Sequence, residues 1–135
     1  MRMTLFIFGA LCVFISCNRS NKEITERLAN ADSVAINYFK GDGTMDTVIT
    51  VKILRDKTVA DQLATHIGEN TSGKNFDKCG YDGSLHFFKM SKVIQDVDFR
   101  MNEKDCMYFS FMQEGQRQAT VLSPEAKELI NSLRK

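Results

Sequence analysis

The sequence predicts an α+β domain with two layers, in which helices pack on one face of an antiparallel sheet of about six strands. Two observations favour this fold class. Short segments of alternating apolar and polar residues recur along the chain with short connections, which is typical of antiparallel strands. Two other segments carry apolar residues at helical spacing, one between the second and third strands and one at the C-terminus.

The N-terminal part of the domain predicts a short helical turn and then a β-hairpin. The helical turn covers 23–31. Apolar residues then alternate over 34–38 and again over 47–53, on either side of the glycine-containing turn 41–44. This is the pattern of two half-buried strands joined by a turn.

A helix is predicted after the hairpin. Val59, Leu63 and Ile67 recur every four residues, and Thr58 is placed to cap the first turn. The following segment, 70–83, is rich in Asn, Ser, Gly and Asp, and it is therefore predicted to be a loop.

The next part of the chain predicts an antiparallel meander. Its segments have the alternation of strands, and polar connections of only a few residues join them. The four predicted strands are 84–89, 92–100, 105–112 and 117–122.

The apolar pattern predicts how 92–100 pairs with 105–112. A loop at 101–105 would place Phe99 opposite Met107 and Val97 opposite Phe109. All four side chains are apolar, so this face is expected to belong to the core.

The same register gathers polar side chains on the other face. It places Asp98 opposite Tyr108 and Asp96 opposite Ser110, and Arg100 continues the row. One face of this hairpin is therefore predicted to be buried and the other to be polar.

Two turns are possible for the last hairpin. A three-residue loop at 114–116 would place Ala119 and Val121 opposite two phenylalanines of the preceding strand, whereas a two-residue turn would place Gln118 and Thr120 there. The apolar pairs favour the three-residue loop.

The chain ends in a predicted helix. Ser123 can cap it, Pro124 suits its first position, and Glu125 lies near the positive end of the helix dipole. The apolar stripe of this helix consists of Ala126, Leu129, Ile130 and Leu133.

The first residues have the pattern of an export signal. Arg2 precedes an unbroken apolar run over 5–15. As a helix this run would be about 17 Å long at about 1.5 Å per residue, well short of the roughly 30 Å hydrocarbon core. The run therefore predicts a signal peptide rather than a membrane span.

The end of this run, Phe14-Ile15-Ser16-Cys17, resembles the lipobox of bacterial lipoproteins. The resemblance implies cleavage before Cys17, acylation of its thiol and anchoring of the protein to a membrane through lipid. It divides the chain into a signal peptide (1–16), a lipidated tether (17–24) and one globular domain (25–135). The alternative is an ordinary secretory peptide with a chance cysteine at its end.

The resemblance also predicts the location of the protein. In this family an Asp after the lipidated cysteine retains the protein in the inner membrane. Asn18 stands there in this chain, so the cell envelope, and within it the outer membrane, is the expected location. Whether the domain faces the periplasm or the cell surface is left open.

Two cysteines remain after Cys12 leaves with the signal peptide and Cys17 is acylated. In an exported protein Cys79 and Cys106 are expected to form a disulfide. A loop of this length would contribute about 3.6 kcal/mol in the chain-entropy estimate. Two unpaired buried thiols, or a redox or nucleophilic cysteine, are the alternatives.

The predicted disulfide also suggests a cover for part of the sheet. Phe87 and Phe88 are adjacent in a strand, so they point to opposite faces. The loop 70–83 is the expected cover of the face opposite the core, because Cys79 must reach Cys106 there.

Charge excludes one class of partner. The chain has 18 basic and 17 acidic side chains. This balance lacks the basic surplus with which proteins bind phosphate backbones, so no nucleic-acid partner is expected.

No catalytic, metal or cofactor site is predicted. His66 and His86 lie in different elements without ligands at metal-binding spacing, and 42–46 is interpreted as a turn rather than a calcium loop. No nucleophile, base and acid stand in a recognisable motif. The sequence therefore predicts a protein that is not an enzyme.

Two functions are expected for such a lipoprotein. The first is binding of another envelope protein, as an assembly factor, inhibitor or immunity protein; the alternative is binding of a small ligand or glycan. The candidate surface is the polar sheet face, because Tyr and Arg often dominate binding at interfaces; a merely solvated face is the simpler interpretation. The five candidate residues are Asp96, Asp98, Arg100, Tyr108 and Ser110.

Overall fold

The computed structural model describes residues 19–41, 47–69, 76 and 78–135. In this part of the chain, six antiparallel strands form one open sheet that is accompanied by three helices. The elements are α1 (Arg19–Ala29), β1 (Ser33–Phe39), β2 (Val48–Leu54), α2 (Lys57–Glu69), β3 (Gly83–Lys89), β4 (Lys92–Arg100), a 3₁₀ helix (Lys104–Cys106), β5 (Tyr108–Gln113), β6 (Gln116–Val121) and α3 (Pro124–Arg134). The strand order is β2-β1-β3-β4-β5-β6, so β2 and β6 are the edges. The predicted fold class is confirmed.

The core lies between the helices and one face of the sheet, which we call the inner face. Alternate residues of β1 point into it, and Val34, Ile36 and Tyr38 are almost fully buried. Tyr38 also donates a hydrogen bond of 2.6 Å from its hydroxyl to the carbonyl of Ile130, which fastens α3 to the sheet. Helices and strands therefore share one hydrophobic cluster.

The helix starts follow local capping chemistry. Ser123 caps α3, accepting a hydrogen bond from the Ala126 N–H at 3.2 Å, as predicted. At α2 the Asp56 carboxylate accepts from the Thr58 N–H at 2.8 Å, so Asp56 takes the capping role that the sequence suggested for Thr58. Neither these helices nor α1 is long and apolar enough to cross a membrane.

The contact between α1 and α2 depends on Gly68. A Cβ atom at this position would overlap Thr25 Oγ1 and lie 3.2 Å from Thr25 Cβ. Thr25 is held in place because its hydroxyl donates to the carbonyl of Asn21 at 2.8 Å.

Gly68→Ala is therefore expected to lower the free energy of unfolding by about 1–3 kcal/mol, the usual cost of overpacking. Urea denaturation would measure it. Removing the Thr25 hydroxyl as well, in Thr25→Ala/Gly68→Ala, should restore part of the loss. A double variant no more stable than Gly68→Ala would locate the strain elsewhere.

The register of β4 and β5 differs from the predicted one by two residues. Phe99 lies opposite Phe109, and Asp98 lies opposite Ser110. The predicted pairs were wrong because the connection is longer than expected and includes the 3₁₀ helix Lys104–Cys106. A shift of two residues preserves the alternation, so the division into an apolar and a polar face is as predicted.

The turn between β5 and β6 has two residues, so the prediction of a three-residue loop was wrong. Glu114 and Gly115 have φ angles of 51° and 75°, the conformation of a type I′ turn, whose twist matches that of paired strands. Gln118 and Thr120 consequently lie opposite the β5 phenylalanines, and Thr120 is buried. Turn geometry outweighed the apolar pairing of side chains.

Candidate functional site

The candidate functional site is the outer face of the sheet, which is turned away from the helices. Its character changes from one edge to the other. Near β2 it is apolar and exposed, across β1, β3 and β4 it carries a polar network, and over β5 it is covered by the segment that precedes β3.

The apolar part is formed by β2. The register with β1 places Ile53 beside Ala35 and Val51 beside Asn37, and these β1 residues point outward. Val51 and Ile53 are therefore on the outer face, and Ile49 precedes them at a register shift of the β1–β2 pair. We call Ile49, Val51 and Ile53 the β2 strip; they are 49%, 56% and 66% exposed. Alternation alone did not predict that this row faces solvent.

The turn between β3 and β4 extends the apolar surface. Met90 and Ser91 have φ angles of 48° and 64°, and Met90 is 79% exposed. Asp32 fixes this turn, since its carboxylate accepts a hydrogen bond from the Met90 N–H at 2.9 Å. An open groove between Met90 and Ile53, with Phe88 in its wall, connects the turn to the β2 strip.

The polar network joins three strands. Ser84 Oγ lies 3.1 Å from His86 Nε2, and His86 Nδ1 lies 2.6 Å from Asp96 Oδ1. The Asn37 amide donates from Nδ2 to the same Nε2 at 3.1 Å. An amide nitrogen only donates, so Nε2 is the acceptor in this contact, and Nδ1 faces the Asp96 carboxylate.

This network has the order of a nucleophile, a base and an orienting acid. This network was not predicted from the sequence, because its residues form no local motif and only the pairing of His86 with Asp96 across β3 and β4 brings them together. Ser84 is 6% exposed and lies in β3, which pairs on both sides, so the backbone N–H groups around it are engaged in the sheet rather than free to bind an oxyanion.

The covered part lies over β5. Cys79 and Cys106 form the predicted disulfide, with 5.8 Å between their Cα atoms. The Phe76 ring stacks on Tyr108 at 4.4 Å between centroids, and the Tyr108 hydroxyl donates to the Gly80 carbonyl at 2.7 Å. This burial raises the pKa of Tyr108. Where the structure describes it, at 76 and 78–83, the loop covers Tyr108 on this face. Phe88, which the loop was expected to cover, instead lies in the wall of the open groove beside Met90.

Arg100 is part of a buried ion pair rather than of the surface. Its Nη1 donates to Asp82 Oδ1 at 2.7 Å, and its Nη2 donates to Glu103 at 3.1 Å. The Asp82 carboxylate also accepts from the N–H groups of Met101 and Asn102, at 2.7 and 2.9 Å. Asp82 thereby fixes the connection that sets the β4–β5 register. From the sequence, Asp82 was placed only in the predicted loop 70–83.

The five predicted binding residues lie on one face, but they do not form one exposed surface. Asp96 is exposed and Asp98 is partly exposed. The expectation of exposure was wrong for the other three. The disulfide-held segment covers Tyr108. Asp82 binds Arg100, and Arg117 of β6 binds Ser110. The buried residues are Arg100, Tyr108 and Ser110.

Asp98 borders the covered part. Arg117 Nη1 lies 3.8 Å from Asp98 Oδ2 and donates to Ser110 Oγ and to the Tyr81 hydroxyl, both at 2.8 Å. Burial raises the pKa of Asp98, and the Arg117 charge opposes this effect.

Asp98→Asn is therefore expected to gain stability relative to the wild type as the pH rises. Folded Asp98 holds its proton more tightly than unfolded Asp98, so its contribution to stability is present below the unfolded pKa and is lost as the pH rises through the folded pKa. Thermal unfolding between about pH 3 and pH 7 would measure the difference. Glu128→Gln, at an exposed residue, is the control. If the difference in stability between Asp98→Asn and the wild type did not change with pH, the expectation would be contradicted.

No protein-family model, curated protein or solved structure matches the chain. The geometry of the outer face is therefore the basis on which a function can be proposed.

Metal binding has no support in the part of the chain that the structure describes, where no three His, Cys, Asp or Glu side chains lie close enough to hold an ion. The predicted turn at 42–46 lies outside the described residues, and so do the signal peptide and the lipidation residue Cys17.

Proposed function

We propose that this chain is a lipid-anchored protein of the bacterial cell envelope that binds another envelope protein and does not catalyse a reaction. Cys17 carries the lipid, and Asn18 directs the protein to the outer membrane. The observation that supports binding is the β2 strip, three aliphatic side chains about half or more exposed in one row. Soluble monomers rarely leave a large contiguous apolar surface in water unless it binds something.

The position of the strip favours a protein partner over the bilayer. α1 ends beside the β3–β4 turn, because Asp32, three residues after the helix, binds the Met90 N–H. The eleven residues of α1 place its first turn about 15 Å away. A lipid on Cys17 precedes α1 directly, so the membrane would lie at the opposite end of α1 from Met90 and Ile53.

Co-purification from native membranes tests this binding. A tagged full-length chain is compared with Ile53→Lys and with Met112→Lys, which places the same charge on an exposed residue of β5. We expect a stoichiometric partner with the wild type and Met112→Lys and its loss with Ile53→Lys. Equal recovery with all three chains would refute a docking role for the strip.

The lipid anchor has a separate test. The intact mass of the protein from the membrane fraction should show loss of 1–16 and addition of lipid at Cys17, and Cys17→Ser should leave the membrane fraction. Two or three acyl chains are needed for stable anchoring. An unmodified protein that begins at another residue would exclude the lipoprotein proposal.

The second candidate function is hydrolysis of an ester through Ser84, His86 and Asp96. The hydrogen-bonded order of these residues favours it, whereas the burial of Ser84 and its position inside β3 oppose it. A fluorophosphonate probe distinguishes the two functions. Labelling that Ser84→Ala abolishes and Ser110→Ala preserves would favour the hydrolase; absence of such labelling favours the binding protein.

A further inference from the structure

We infer that two copies of this chain pair through β2, antiparallel and around a twofold axis at Val51, so that two six-stranded sheets become one continuous sheet. The inference concerns a second copy of the chain itself. It does not depend on the envelope partner proposed above.

β2 is an edge strand whose protection against pairing is limited, among the residues that the structure describes, to Lys52 and a register shift beside Ile49. Its seven residues, VITVKIL, are mostly β-branched and contain no proline. Edge strands normally carry charges, proline or other features that prevent pairing with a second chain. The opposite edge, β6, reads QRQATV and begins with polar residues. The two edges of the same sheet therefore differ, and β2 is the one suited to pairing.

The sequence of β2 is complementary to itself around Val51. In this register Ile49 lies opposite Ile53 of the partner subunit, and Thr50 lies opposite Lys52 of the partner subunit. From Ile49 to Ile53 each residue meets one of the same parity, so outward side chains meet outward side chains and edge-facing N–H groups meet carbonyl groups. Aliphatic β-branched residues opposite one another stabilise an antiparallel pair.

The charge of β2 is compatible with this pairing. Lys52 is its single charged residue, and its Nζ donates to the Lys135 carbonyl at 3.1 Å, on the side of α3. In the register around Val51, Lys52 lies opposite Thr50 of the partner subunit, so no like charges are directly opposed.

Pairing would also change the outer face. The two β2 strips would become neighbours and form one apolar surface across the twofold axis, because Val51 and Ile53 of each copy point to the same side and Ile49 is exposed beside them. A dimer would thus present twice the apolar surface of a monomer to a partner.

Cysteine cross-linking tests the pairing in the full-length chain in its membrane. Val51→Cys places two thiols directly opposite each other at the axis, within reach of a disulfide. Val121→Cys is the matched control, since Val121 is an exposed valine of the other edge strand. On non-reducing gels we expect a covalent dimer for Val51→Cys and a monomer for Val121→Cys. A monomer for both, or equal dimer for both, overturns the inference.

Two further variants test the register. Ile49→Cys and Ile53→Cys, with different tags, are expressed together and separately. The register around Val51 predicts a cross-link between the two variants and none within either, because residue 49 faces residue 53. Cross-linking of Ile49→Cys with itself would reject this register. A dimer without an envelope partner would refute only the proposed function, and a partner without a dimer would refute only this inference.

Discussion

Asp82→Ala is expected to lower the free energy of unfolding by about 3–5 kcal/mol, the cost of leaving a buried charge without its partner. Asp82 is 2% exposed and accepts hydrogen bonds from Arg100 and from two backbone N–H groups. Without Asp82, the Nη1 end of the largely buried Arg100 guanidinium loses the negative charge that it binds. A typical domain has only about 5–15 kcal/mol of stability, so the variant should unfold at much lower urea concentrations.

Glu103→Gln is the matched control for this prediction. Glu103 accepts from the other terminal nitrogen of Arg100 but is itself 53% exposed. An exposed ion pair contributes at most about 1 kcal/mol, so the free energy of unfolding of this variant should be close to that of the wild type. The free energy of unfolding of Asp82→Ala could instead lie within about 1 kcal/mol of the wild-type value. That result would show that water reaches the Asp82–Arg100 pair and that the pair does not fix the connection between β4 and β5.

Replacing both Cys79 and Cys106 with serine is expected to lower the free energy of unfolding by about 2–5 kcal/mol. The disulfide restricts the unfolded chain and holds the segment that covers Tyr108 in the folded one. Without it, Phe76 can leave the outer face. Denaturation would measure the stability, and hydroxyl-radical footprinting should show increased modification of Tyr108.

Two controls accompany the disulfide variant. The reduced wild type should resemble it in stability, whereas the oxidised wild type should keep Tyr108 protected. In unreduced, denatured protein the peptides that contain Cys79 and Cys106 should take up no thiol label. Labelling of both cysteines would show that they are unpaired, and the stability difference would then need another explanation.

The sequence by itself determined the element types and the fold class. Alternation in β1 and helical spacing in α2 and α3 are local patterns, and each records which side of its element is buried. The disulfide followed from the count of cysteines, because Cys79 and Cys106 are the two that the predicted cleavage and acylation would leave.

The tertiary structure decided the register, the buried ion pair and the site. The β2 strip alternates like any half-buried strand, but its position at the edge of the sheet, beyond the outward residues of β1, leaves it in solvent. The Asp82–Arg100 pair and the contacts of His86 with Ser84 and Asp96 depend on which strands are neighbours. Local patterns show which residues share a face of a strand. Contacts between distant residues depend in addition on the register of the strands, and turns and buried polar groups set that register.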